Sequence, residues 1–176
     1  TLINTKVDVL STDKENYVGG VVGWNETGLI KDCINYATVN APNSNMVGGV
    51  VGENYHLNFC VVEGCKNYGT VIGYENVGGV VGINHRIVKD CHNYSENSSF
   101  VKGVNNVGGV VGLNNGKGPY GGYPIYILCS SNHGIVTAVN NAGGITGQNG
   151  GKPSGNSMTT DGGFIVACWN TGTLDF

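Results

Sequence analysis

Charge is scarce in this sequence: Asp, Glu, Lys and Arg make up 12% of its 176 residues, about half the usual share of a globular domain. The charges sum to −3 and contain no basic run, which excludes the electrostatic footprint of a protein that binds nucleic acid or anionic lipid. No apolar stretch approaches the roughly 20 residues of a membrane helix, so direct membrane insertion is not expected. Neither HExxH nor a paired CxxC occurs, and the four histidines lack ligand spacing; no metal or cofactor is expected. Cys91 and His92 are adjacent, point to opposite faces of a strand and cannot form a nucleophile and base pair. Asp32 and Asp90 occupy one slot of a repeat that Gly64, Cys129 and Ala167 fill elsewhere, which reads as a solvated turn. No catalytic residue is assigned, and the expectation is a protein that is not an enzyme.

What the chain has instead is glycine, 31 residues, and asparagine, 24 residues, both of them turn formers. They recur in fixed places. VGGVVGWN at 18–25 returns as VGGVVGEN, VGGVVGIN, VGGVVGLN and AGGITGQN, with the glycine pair at Gly19, Gly48, Gly78, Gly108 and Gly143, steps of 29, 30, 30 and 35 residues. A period of this size signals repeat architecture. A second motif keeps the beat: CINYATV from Cys33, CKNYGTV from Cys65, CHNY from Cys91, SSNHGIV from Ser130 and CWNTGTL from Cys168. An aliphatic or aromatic pair stands three or four residues before each.

Every repeat thus offers three β-prone runs too short for helices: the GGVVG run, the aliphatic run into cysteine, and a run near Val39, Val71, Val101, Val136 and Leu174. Repeated without inversion, they predict an all-β parallel β-helix, or β-solenoid, of about five coils of roughly 30 residues with three short strands each. A propeller- or prism-like repeat of three-stranded units is the alternative, but hairpin alternation is missing. The domain is expected to span 1–176, with coils starting near 17, 46, 76, 106 and 141 and a partial coil at 1–16. Equal positions then stack in rows. Asn25, Asn54, Asn84, Asn114 and Asn149 form one row of amides, and Asn35, Asn67, Asn93, Asn132 and Asn170 another. Val21, Val50, Val80, Val110 and Ile145 are expected to point inward. Cys33, Cys65, Cys91 and Cys168 share a slot that calls for a small, weakly polar inward side chain, buried thiols being favoured over an axial disulfide.

The GGVVGxN block followed by CxNxGTV resembles the GLUG repeats found in large bacterial surface proteins and in the non-catalytic region of some immunoglobulin A proteases. The resemblance runs from about Tyr17 to Leu174 and implies surface scaffolding with varied partners. It implies an extracellular or cell-surface location and the function of an adhesin module binding a glycan or a protein.

Insertions point to where such a ligand would sit. From the Asn of GxN to the cysteine slot the spacing is 8, 11, 7, 16 and 19 residues, so one corner grows while the scaffold stays fixed. Trp24, Tyr55, His56, Lys117, Tyr120, Tyr123 and Lys152 cluster in or beside that corner and are the candidate ligand-binding residues, suited to a sugar's faces and hydroxyls or to a protein partner. The opening LINTKV and closing CWNTGTL fall at the same phase of the repeat and neither shows an obvious cap. The expectation is either a longer array or head-to-tail self-association through open ends, as in a filament-forming structural subunit.

Overall fold

The computed structural model describes residues 6–8, 14, 17–55, 59–94, 96, 98–115, 124–150 and 162–176. These residues form a parallel β-solenoid: strands of two to four residues, every pairing parallel, each strand hydrogen-bonded to its counterpart one coil away. The second coil shows the path: Met46–Gly48, Val51–Asn54, Val61–Glu63, Lys66–Asn67 and Val71–Ile72. Numbered in that order, the first four sheets hold five strands each, and the fifth holds six because Lys6–Asp8 adds to it. In-register partners repeat the sequence alignment, for example Val51 with Val81 and Val81 with Val111.

The three runs read from the sequence are therefore five strands per coil. The GGVVG run is bent at the second glycine and first valine, so that its two halves belong to the first and second sheets. The aliphatic run breaks at the residue before the cysteine slot. Asp32, Gly64, Asp90, Cys129 and Ala167 all stand there with φ between 49° and 65°. This left-handed corner suits Gly and Asp and strains Cys and Ala by roughly 1–2 kcal/mol. Cys129→Asn is therefore expected to stabilise the protein by about 0.5–1 kcal/mol, and Gly64→Ala to destabilise it by a similar amount, measured as urea midpoints.

Two apolar columns run along the coil. One is built from Val50, Val51, Val62, Cys65 and their counterparts, the other from Val39, Val47, Val71, Val77 and theirs. The chain passes from one column to the other at the glycine pair. A Cβ on Gly78 would collide with the carbonyl oxygen of Val81 and come within 2.8 Å of the Gly112 nitrogen, and one on Gly79 would press the Asn93 amide. The pair is required by this close backbone approach and not by a phosphate.

Val50, Val80 and Val110 point inward as expected, but so do their neighbours Val51, Val81 and Val111. The bend turns both valines toward the same column. Val21 departs from the expectation: it is 43% exposed, because its coil has no described coil beneath it.

Candidate functional site

Of the expected ligand-binding residues, the structure brings Trp24 and Tyr55 together. Trp24 stacks on Tyr17 at 5.7 Å and meets Tyr55 edge-on at 5.4 Å. Tyr55 in turn stands edge-on to His85. His56, Lys117, Tyr120, Tyr123 and Lys152 lie outside the described residues, as do most of the long corner loops. Beside the aromatic group lies a pair the sequence did not single out: His85 Nε2 is 2.9 Å from Glu53 Oε1, and both side chains are buried. With Glu53 ionised, the imidazole carries its proton on Nε2 and donates it to the carboxylate. The in-register row through this position reads Trp24, Glu53, Ile83, Leu113, Gln148, so a single acid is accommodated only because the next coil supplies a partner.

Both expected asparagine rows are present and continuous. In the first, each Nδ2 donates to the Oδ1 of the next coil, from Asn25 to Asn149, at 2.8–2.9 Å. The second does the same from Asn35 to Asn170 at 2.7–2.9 Å. A third row, not foreseen, joins Asn141 to Asn106 and Asn106 to Asn76 with the opposite polarity. It occupies three coils only, since Met46 and Tyr17 fill the slot below.

A column of rings is the larger omission. The residue after each asparagine of the second row is Tyr36, Tyr68, Tyr94, His133 or Thr171. The rings stack with centroids 4.9, 4.8 and 5.2 Å apart and planes within 10° of parallel. Backbone bonds such as Tyr68 N–H to Asn35 C=O, 2.8 Å, set this spacing. Because the faces cover one another, the column shows solvent ring edges, phenol hydroxyls and an imidazole, and Tyr36 at its lower end is 39% exposed. Burial together with the neighbouring rings Tyr94 and Tyr36 pushes the Tyr68 phenol upward. The repeated Asn-Tyr dipeptide marks this column in the sequence, whereas the insertions point to the corner as the aromatic surface.

A hydrogen-bonded chain continues the column at its upper end. Ser131 Oγ lies 2.8 Å from His92 Nδ1 and 3.0 Å from His133 Nε2, and His133 Nδ1 lies 2.6 Å from Thr171 Oγ1. Burial, then Lys66, lowers the pKa of His92. A serine between two imidazoles has the composition of a nucleophile with its base, yet Ser131 is fully buried and its oxygen is out of a substrate's reach.

No protein-family model, no curated protein and no solved structure matches this chain. The reading of function therefore rests on the residues themselves.

The cysteine slot is a column of thiols. All six cysteines are free; Cys65 and Cys91 are buried, while Cys33 and Cys168 in the outer coils are half-buried. Each slot sulfur lies near the carbonyl two residues earlier, as Cys65 does with Glu63 at 3.4 Å and Cys91 with Lys89 at 3.3 Å. Ser130 keeps the same bond, to Leu128, which explains why it substitutes for cysteine. The hydrogen bond from Cys91 holds the Cys65 thiol down at about 7, while that bond and burial push Cys91 well up.

Proposed function

We propose that the protein is a non-enzymatic extracellular repeat module of the surface-adhesin kind, binding a glycan or a protein through its lateral face. The observation that carries this reading is the ring column Tyr36, Tyr68, Tyr94 and His133. The inward requirements of the coil are met by valine, cysteine, glycine and asparagine, whereas this column places polar-tipped aromatics outward at a regular spacing. Tyrosine in such a position offers apolar area and a hydroxyl at low entropic cost, the combination enriched where proteins meet ligands. The GLUG-like block supports the same reading, as does the growth of one corner, where Trp24 and Tyr55 stand.

The test separates contact from scaffold. Tyr68→Phe with Tyr94→Phe preserves the stacked rings and removes two hydroxyls. Against panels of immobilised glycans and surface proteins, the unaltered chain is expected to be retained by at least one. The double variant is expected to bind that ligand about tenfold more weakly at an unchanged melting temperature. Full binding by the double variant, or no retention of the unaltered chain by any panel member, overturns the reading.

A further inference from the structure

The residues on either side of the ring column leave it standing by itself. Before each ring comes an inward amide, Asn35, Asn67, Asn93 or Asn132, at most 2% exposed. After it the sequence places a short side chain or none: Ala37, Gly69, Ser95, Gly134 or Gly172. The rings therefore make a ridge one ring wide that runs from coil to coil along the axis.

Its members differ in what they leave for a ligand. His133 is engaged at both nitrogens, Nε2 with Ser131 Oγ at 3.0 Å and Nδ1 with Thr171 Oγ1 at 2.6 Å. No bond to a described residue holds the hydroxyls of Tyr36, Tyr68 and Tyr94. Three like groups, each able to donate and to accept, thus follow one another on rings 4.9 and 4.8 Å apart with planes within 10° of parallel.

A ligand that meets all three at once must be straight and must repeat at that interval. An extended peptide presents the same face every two residues, roughly 6.7 Å, and the nucleotides of a duplex strand recur at roughly 3.4 Å. An α-helix comes nearer with a turn of about 5.4 Å, but it outruns the column by about 1 Å between the first phenol and the third, more than the narrow range of a hydrogen bond allows. A second copy of the chain would share the repeat, yet a ridge one ring wide offers far less than the roughly 800 Å² per partner of a stable interface.

An extended β-1,4-linked hexose chain advances by close to one inter-coil spacing per sugar and carries hydroxyls along both of its edges. The ring faces cover one another, so such a chain lies against ring edges and hydroxyls and not flat on a face. The three phenols bear no charge at neutral pH, and burial with the neighbouring rings pushes Tyr68 further up; they match uncharged sugars.

We propose that the ridge of Tyr36, Tyr68 and Tyr94 binds a linear, uncharged β-1,4-linked glycan laid parallel to the coil axis, one sugar to each coil. The inference rests on the lateral-face reading and names its ligand as a straight polymer with a set direction on the molecule.

NMR titration of the tyrosine ring signals with cello- and chito-oligosaccharides of one to six sugars tests it. Affinity is expected to rise about threefold to tenfold with each sugar up to the trisaccharide and to change little beyond the tetrasaccharide. Maltohexaose, whose α-1,4 linkages curve the chain, is expected to bind no better than maltose. Tyr68→Phe keeps the stacked rings and interrupts the row at its middle, so the gain from the second and third sugars is expected to be lost. Affinity independent of chain length, equal binding of the α-linked series, an unaffected Tyr68→Phe variant, or ring signals unmoved by both β-linked series overturns the proposal. If those signals stay unmoved while the panels retain the chain on a protein or on another glycan, the lateral-face reading stands and this inference alone falls.

Discussion

Gly78→Ala is expected to cost about 3–5 kcal/mol, enough to leave the protein largely unfolded in the absence of other stabilisation. The added methyl would collide with the carbonyl oxygen of Val81, with its carbon and the Gly112 nitrogen close behind. All three are backbone atoms fixed by ladder bonds to coils above and below, so there is no side chain to swing away. Relief requires moving a whole bend, and the bends are in register along the axis. Urea denaturation of the purified variant provides the measurement. Gly28→Ala is the matched control: among the described residues its only near neighbour is the Asn25 amide oxygen at 3.5 Å, and a change within about 0.5 kcal/mol is expected. Equal tolerance of both substitutions would show that the glycine pair is not needed for close approach.

Asn84→Leu should be nearly as damaging, by a different route. Asn84 is fully buried. It accepts from Asn54 and from the Arg86 amide, and donates to Asn114 and the Arg86 carbonyl. Leucine fills the space but takes the Asn84 partner from the Asn54 Nδ2, which keeps the Ile87 carbonyl at 3.3 Å, from the buried Asn114 Oδ1 and from the part-buried Arg86 N–H. At about 1–3 kcal/mol for each orphaned group, a loss of about 3–5 kcal/mol is expected. Asn149→Leu, in the same row but exposed at its upper end, should cost about 1 kcal/mol. Thermal and urea unfolding of the two variants side by side checks the ordering. Similar small losses at both positions would mean that the row contributes little to stability.

Much of this structure was legible because a translational repeat turns each sequence column into a spatial one. The period, the parallel pairing, both complete amide rows and the shared thiol slot followed from aligning five segments. Bends were harder to read. Nothing between Gly49 and Val51 marks a corner in the sequence, since two valines in succession look like one strand; only the close approach at the glycine pair explains why both face inward. The slot of Asp32, Gly64, Asp90, Cys129 and Ala167 was recognised as a turn, but its left-handed backbone was hidden by the two residue types that tolerate it least. The third amide row escaped because it occupies three coils. The tyrosine column was visible as a repeated Asn-Tyr, yet a stack differs from a set of open ring faces, and alternation alone does not say which face a two-residue strand presents. The pairing of Glu53 with His85 joins different columns of adjacent coils, a diagonal contact that alignment cannot show.

The parallel stacking of every strand also governs how the molecule yields. Among the described residues, each coil is bonded only to the coils beside it, through partners about 30 residues away in the chain. Tension applied at the chain ends therefore peels the terminal coil while the rest stays wound. Each event frees about 30 residues, or roughly 100 Å of extended chain. A lateral pull on the ring column loads many inter-coil bonds in shear at once. The same five sheets thus make the molecule compliant along the polypeptide and stiff across the face where a ligand would hold it.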